Sequence, residues 1–534
     1  MSATTNGKRP AYTAAQRDAI LSRGHTLLEA GAGSGKTTTL VGKILHALGA
    51  EVVDGARVDR PCELGEIAAI TFTNAAAADL RASLRARLRA HAATDPDRRW
   101  RRLVHEVDRA RIGTIHAFCG RILREFALRE GLDPAFGLLD AGEAADLREE
   151  CARARVHAAA GDGDPDVSEL VFRFRPHGAV RLVRDAMEKG DAARHAVARW
   201  CDADGRARTA DLRARVEALG GTWRAHDDAG AALAAAVLRL AADARDEFDR
   251  ELERRGALDH DALIHRTRDL LRDRPDALAS IRRRLAWLLI DEFQDTDPAQ
   301  RDIAYAICGI PEALAARRAG TPAPAGCPTL CIVGDPKQSI YGFRRADVTL
   351  WSDVARDLAT LGAPAIALDT NFRSRAPLLG LVNGTFGALM PPVGDAAAPD
   401  HEVRYRPLVP ARHYAGDDGL VELLALPDGE SAPERRQEEA RRVARRIRAM
   451  VDEAEPVLWD GAGERRPARW RDVALLFRSA TDVRLYEAEL RRLRVPCFVA
   501  AGDGFHATRE VRDVRLLLTA LADAHDDRAW IGLL

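Results

Sequence analysis

The chain has 534 residues, 46% of them hydrophobic and 30% charged, with a formal net charge of −1 at pH 7. Such a length exceeds one core and predicts three or four domains, and the composition excludes a disordered chain. The near-zero charge excludes nucleic-acid binding through a global basic field, so any such partner must be met by local clusters and specific side chains. No apolar run reaches the ~18–20 residues of a membrane span, and residues 1–10 hold no hydrophobic signal core. The eight cysteines form no C-x-x-C pair, and Cys327 and Cys331 read as core thiols near a buried strand. The expected location is cytoplasmic, with no membrane partner.

In chain order, residues 25–30 predict a strand, 36–48 a helix, 67–71 a strand, 74–89 a helix, 111–114 a strand and 115–128 a helix. This alternation predicts a parallel α/β sheet. From about residue 141 to 284, strand signals give way to Ala/Arg/Leu/Asp-rich helical periodicity, which predicts a helical insertion. The sheet signature returns at 287–291 and 329–333, around a surface loop at 313–326 marked by Pro322 and Pro324. A second α/β set is predicted from about Ala365, with strands at 366–368, 421–425, 473–477 and 497–500 and helices at 376–389, 433–451 and 482–493.

The sharpest local signal is Ala30-Gly31-Ala32-Gly33-Ser34-Gly35-Lys36-Thr37, followed by Thr38, between a predicted strand and a predicted helix. Glycines let backbone N–H groups wrap a phosphate without Cβ clashes, and a helix N-terminus adds its positive dipole end. In such a loop Lys36 binds the β- and γ-phosphates of ATP and Thr37 ligates Mg²⁺. The second signal is Leu288-Leu-Ile-Asp-Glu-Phe-Gln-Asp-Thr296, an apolar strand ending in adjacent carboxylates. Asp291 is placed to hold Mg²⁺, and Glu292 to orient and deprotonate the attacking water.

Asp291-Glu-Phe-Gln-Asp-Thr296 resembles the second motif of superfamily 1 helicases of the UvrD/Rep type, and further family motifs stand around it in order. Tyr12-Thr-Ala-Ala-Gln-Arg-Asp-Ala-Ile20 resembles the Q motif, Ile70-Thr-Phe-Thr-Asn74 motif Ia, and Ile112-Gly-Thr-Ile-His-Ala-Phe118 the segment after it. Val333-Gly-Asp-Pro-Lys-Gln-Ser-Ile-Tyr-Gly-Phe-Arg344 resembles motif III and Leu368-Asp-Thr-Asn-Phe-Arg-Ser374 motif IV.

The resemblance implies an α/β P-loop NTPase fold. A first RecA-like motor domain would span 1–125 plus 285–365, a helical insertion 126–284, and a partial second RecA-like domain 366–534. It implies that Gln16 reads the adenine edge, that Phe372 stacks on adenine, and that Gln338 senses the γ-phosphate while Arg373 touches it. It places Phe72, Thr73, Asn74, His116, Tyr341 and Phe343 at single-stranded DNA, where aromatic rings suit sequence-indifferent stacking. Ala75 stands where motif Ia usually has lysine. The stretches 113–119, 133–140 and 258–263 are similar to the RecB/AddA branch, which implies duplex-end DNA as substrate and a nuclease or helicase partner subunit.

His260 between Asp259 and Asp261 lacks partners at metal-ligand spacing. The basic runs 81–89 and 98–102 are either a phosphate-facing surface or a solvated helix face. Neither the Lys-Gly-Leu-Glu of motif V nor the arginine of motif VI is found. The expectation is therefore a chain that stops before the motor is complete and is inactive or weak alone. The rival expectation is an ATP-gated DNA-binding subunit without sustained unwinding.

Overall fold

The computed structural model describes residues 12–533 except 54, 95–96, 190, 203–204, 219–220, 343–345, 395–398, 400–401, 412–420, 427–430, 459–464, 501–508 and 523–526. By internal contacts the chain divides into one unit of residues 1–374 and 381–411 and another of 375–380 and 412–534.

The first unit opens with α1 (Ala14–Leu21), whose start is fixed by a Thr-x-x-Gln capping box between Thr13 and Gln16. Then follow β1 (Thr26–Ala30), α2 (Lys36–Ala47), β2 (Ile67–Thr71), α3 (Asn74–Thr94), α4 (Arg98–Glu106), β3 (Arg111–Thr114) and α5 (Ile115–Phe126). After the insertion come β6 (Trp287–Ile290), β7 (Thr329–Gly334) and β8 (Ala365–Leu368). These strands form one parallel sheet in the order β3-β2-β6-β7-β1-β8. Their near-continuous apolar runs suit a sheet covered on both faces. Alternate residues serve two cores: Leu27, Ala68, Ile70, Leu288, Ile290, Leu330 and Ile332 face one, and Leu28, Ile67, Ala69, Leu289, Cys331 and Val333 the other.

Two sequence expectations change here. Residues 365–368 pair with β1 and close the first sheet rather than opening a second one. The loop expected at 313–326 begins as helix, because Ile310 and Ala313 are buried and hold residues 310–319 in a regular turn. The basic runs on α3 and α4 divide: Arg81 donates to the Ile112 carbonyl at 2.6 Å, Arg87 to the Tyr12 hydroxyl at 2.9 Å and Arg99 to the Cys62 carbonyl at 2.8 Å, while Arg89, Arg98, Arg101 and Arg102 are exposed. Trp100 and Leu103 bury the inner face of α4.

Lys43 on α2 is buried, and its ammonium donates to the carbonyls of Ala19 and Ser22 at 2.8 Å each, 4.8 Å from the centre of the Trp287 ring. These bonds satisfy carbonyls left over at the end of α1 and join α1 to α2. Cys331 is buried as expected, and Cys327 is half-buried.

The insertion is helical, as predicted. It contains α6 (Ala141–Gly161), α7 (Pro165–Met187), α8 (Asp191–Trp200), α9 (Thr209–Ala218) and α10 (Ala225–Arg254). Packing of α6, α7 and α10 builds its own core around Leu147, Val156, Leu170, Val183, Leu240 and Phe248. Two short strands, β4 (Gly137–Leu138) and β5 (Ala257–Leu258), pair in parallel at its base. Then α11 (His260–Asp273) returns the chain. Asp259 caps that helix, accepting from Ala262 N at 2.7 Å, and pairs with Arg148 at 2.6 Å, so the Leu258–Leu263 stretch does a capping task. Further along the chain stand α12 (Pro275–Arg283), α13 (Pro298–Cys308), α14 (Ile310–Ala319), α15 (Thr349–Thr360) and α16 (Ala376–Leu389).

In the second unit, α17 (Ala432–Asp452) and α18 (Val483–Arg492) pack through Ala444, Ile447, Leu490 and Val495. The predicted strands at 421–425, 473–477 and 497–500 are not strands: none is paired into a sheet among the described residues, and Leu423, Leu476 and Phe498 stand almost fully exposed. Strand propensity expresses fit to a pleated, half-buried surface, and without a partner ladder it fixes nothing. No helix among the described residues is long and apolar enough to cross a membrane.

Candidate functional site

The site lies at the carboxyl ends of β1, β6 and β7, where loops leave a parallel sheet. After β1 the chain turns through Gly33 (φ 70°) and Gly35 (φ 81°) into α2. A Cβ on Gly33 would lie 2.6 Å from the Arg373 Cβ, and one on Gly35 would lie 2.8 Å from Gln16 Nε2, so neither position accepts a side chain. The hydroxyl of Ser34 is buried with no partner among the described residues, so a donor and acceptor waits inside the loop.

Lys36, first residue of α2, donates to both carboxylate oxygens of Glu292 at 2.7 Å. Glu292 itself sits at φ 56°, ψ 43°, a left-handed conformation that is strained for a residue with a side chain. Its Oε2 also accepts from Gln294 Nε2 at 2.8 Å. Next to it, burial and the Glu292 carboxylate push the Asp291 carboxyl up to about 6. The same two causes push Asp295 up to about 6. Three carboxyl groups therefore crowd one lysine, and the local imbalance is negative.

Motif III continues the site. The buried Gln294 accepts the Asp335 N–H at 2.9 Å, and Asp335 accepts from Gln338 Nε2 and Lys337 Nζ at 2.8 Å each. Ser339 Oγ donates to the Gln294 carbonyl at 3.1 Å. Two residues on, the Tyr341 ring meets that of Phe72 from the end of β2, with centroids 4.8 Å apart. The structure thus brings two of the sequence-predicted stacking residues together. Thr73 follows with its hydroxyl accepting from Ala76 N at 3.0 Å, and Asn74 begins α3. Phe343 lies outside the described residues.

Motif IV closes over the phosphate loop within the same unit. Asn371, buried, donates to the Ala32 carbonyl at 2.6 Å and accepts from Arg373 N and Ser374 N at 2.8 and 2.6 Å. Phe372 N donates to the Gly33 carbonyl at 2.9 Å. Both Phe372 and Arg373 present exposed side chains. Gln16 turns its Oε1 to Thr13 N at 3.0 Å and its Nε2 to the Ser34 carbonyl at 3.1 Å, so it frames the loop.

His116 lies at the junction of α5 and α11, edge-on to His260 with centroids 4.6 Å apart. Burial, and then His260, push it down to about 4. Among the described residues no group of three or more His, Cys, Asp or Glu is arranged to hold a metal.

Asn371, Gln294 and Asp335 hold this site together, and sequence reasoning assigns them no task. Each stands inside a motif, but buried polar clamps show only in three-dimensional contacts.

A phosphate loop after β1, a carboxylate-tipped β6 one strand removed from it across β7, and a parallel sheet define a P-loop NTPase. Residues 12–359 match the UvrD/REP helicase N-terminal domain, and residues 366–534 match the UvrD-like helicase C-terminal domain. The chain belongs to the UvrD/REP helicase family. It is 29% identical over 519 residues to the ATP-dependent DNA helicase UvrD1 of Mycobacterium tuberculosis (strain ATCC 25618 / H37Rv), covering 96% of this chain and 52% of that protein. It is 28% identical over 677 residues to an ATP-dependent helicase/nuclease subunit of Desulforudis audaxviator, covering 98% and 52%. The helicase/nuclease subunit of the same name from Anoxybacillus flavithermus is 24% identical over 657 residues, covering 97% and 52%. The chain thus spans about half the length of these curated relatives. Because the C-terminal domain match covers residues 366–534, the expectation of a chain that stops before motifs V and VI is not supported.

Proposed function

We propose that this chain carries the ATP-hydrolysing motor of a 3′→5′ translocase or helicase on single-stranded DNA, serving DNA repair or recombination in the cytoplasm. The direction and the pathway come from the family resemblance. The observation that supports coupled action most is the run of contacts Glu292–Gln294–Asp335–Gln338, with Ser339 bonded to the Gln294 carbonyl and Tyr341 seated on Phe72. It joins the proposed catalytic base to the proposed base-stacking pair through half-buried polar links around the buried Gln294–Asp335 bond.

In this reading Lys36 exchanges Glu292 for the β- and γ-phosphates, with the Ser34 hydroxyl as a further donor. Glu292, released, accepts the proton of the attacking water. Arg373 neutralises charge on the γ-phosphoryl group, and Asn371 sets the backbone from which it projects. Gln16 and Phe372 flank the adenine. Gln338 senses the γ-phosphate and passes its state to Tyr341. Thr37 and Asp291 would hold Mg²⁺, which supplies charge neutralisation on the phosphates. One or two protein oxygens suit Mg²⁺ on a nucleotide, and the Asp291 carboxylate lies at the end of β6 beside Glu292 and Lys36. Thr73, Asn74 and His116 are proposed to line the DNA path with Phe72, Tyr341 and Phe343. Duplex ends are the proposed entry substrate. The names of the helicase/nuclease relatives motivate a nuclease or helicase partner.

Phe72→Ala tests the DNA half of this reading. It is expected to weaken oligo-dT binding by about 1–3 kcal/mol, the worth of one stacked base, and to leave ATP-analogue affinity unchanged. Fluorescence anisotropy of labelled oligo-dT reads the first and calorimetry the second. Equal DNA affinity in variant and parent would make the Phe72–Tyr341 pair a packing contact.

A further inference from the structure

The insertion carries a feature unrelated to the ATP site. The inner face of α7 packs through Val167 and Leu170, then contributes nothing buried until Ala179, Val180 and Val183. Between them residues 172–177, Phe-Arg-Phe-Arg-Pro-His, are exposed without exception. Phe172 is 79% and Phe174 47% exposed. The chain breaks its helical path at Arg175, which stands at φ 63°, ψ 160°, followed by Pro176.

Each element of this segment is unfavourable for folding alone. A non-glycine residue at positive φ costs about 1–3 kcal/mol, and such strain collects at functional positions. Two phenylalanines in water forgo the gain of burial. The helical path breaks one residue after Phe174, and both rings stand outside the core although Val167 and Leu170, earlier in the same helix, are buried.

The chemistry of the tip selects its occupant. Rings alternate with cations, and the six residues hold two arginines and no carboxylate. Arg173 pairs with Glu169 at 2.6 Å, and Arg175 has no ion-pair partner among the described residues. A purely apolar partner would leave the Arg175 guanidinium uncompensated. A single nucleic-acid strand compensates both groups, because unpaired bases stack on the rings and phosphates pair with guanidinium. A paired duplex hides its base faces and would use the arginines alone.

We propose that the Phe172–His177 tip is a second contact for single-stranded DNA, separate from the Phe72–Tyr341 pair, in which Phe172 and Phe174 stack on unpaired bases and Arg175 binds the backbone. The proposal extends the DNA-binding reading of the motor and rests on it.

The test compares the parent chain with Phe172→Ala/Phe174→Ala and Phe172→Trp/Phe174→Trp. Labelled dT10, dT30 and a blunt duplex are titrated by anisotropy, with thermal unfolding as the fold control. Loss of stacking on one or two bases predicts dT30 affinity down about tenfold or more in the alanine variant. Duplex affinity and ATP turnover without DNA stay at the parent level, and the tryptophan variant binds dT30 as the parent does. The Trp pair also carries an optical readout: quenching of its fluorescence by dT30 reports stacking directly. Parent-level dT30 affinity in the alanine variant, with no quenching in the tryptophan variant, overturns the tip as a DNA contact and leaves the motor reading standing. A change confined to sedimentation, with the alanine variant losing self-association and keeping DNA affinity, also overturns it and makes the tip a protein contact. A parent that binds no oligo-dT at any length overturns the DNA reading of the motor itself.

Discussion

Glu292→Gln is expected to keep ATP bound and to stop its turnover. The carboxylate lies at the end of β6 in a strained backbone conformation, 2.7 Å from the Lys36 ammonium and 2.8 Å from Gln294 Nε2. Glutamine keeps the size and most of the hydrogen bonding but cannot take a proton. General-base catalysis contributes about 10²–10⁴-fold, so turnover should fall by that factor while affinity for ATP changes little. Removing the negative partner of Lys36 even favours the triphosphate slightly, since the lysine no longer has a competing anion. Single-turnover phosphate release and equilibrium nucleotide titration separate the two quantities. Turnover within tenfold of the parent would assign the base elsewhere, with Asp291 and Asp295 the nearest carboxyls.

Arg373→Ala should act on the same step from the other side of the loop. Its side chain projects over Gly33 from a backbone pinned by Asn371, whose amide also grips the Ala32 carbonyl. A positioned arginine that neutralises transition-state charge contributes about 10³–10⁵ in turnover. The variant should lose about 10³-fold or more and retain ATP binding, with the same two measurements as readout. A loss below tenfold would make Arg373 a surface residue. Arg373→Lys should recover little, because a point charge on a flexible stem lacks the planar fork of guanidinium.

What can be read from the sequence is whatever short-range chemistry dictates. Gly33 and Gly35 are demanded by local backbone angles, so the phosphate loop is legible to the residue, and so is the parallel sheet built on apolar runs such as Leu288–Ile290. Two helices of the second unit, α17 and α18, are legible because they have a periodic buried face, while the helices Arg509–Ala522 and Asp527–Leu533 are not foreseen. The strands expected at 421–425, 473–477 and 497–500 fail because a strand exists only where another strand meets it, and residue type alone does not say so. The role of β8 is hidden on the same ground, since only its pairing with β1 assigns it to the first sheet. Gln294, Asp335 and Asn371 are invisible as clamps because their partners lie tens or hundreds of residues away. The kink in α7 does have a local sign, since the residue before a proline avoids helical angles, but the periodic pattern on either side of Arg175 masks it.

The most direct measurement of the central claim is steady-state phosphate release from ATP by this chain with and without oligo-dT. Coupling from the Phe72–Tyr341 pair through Ser339, Gln338, Asp335 and Gln294 to Glu292 predicts that saturating oligo-dT raises the rate by at least tenfold. It also predicts that Phe72→Ala shifts the oligo-dT concentration needed for half-stimulation upward. A rate that is the same with and without DNA, in a chain that binds both ligands, would contradict a motor built on these residues.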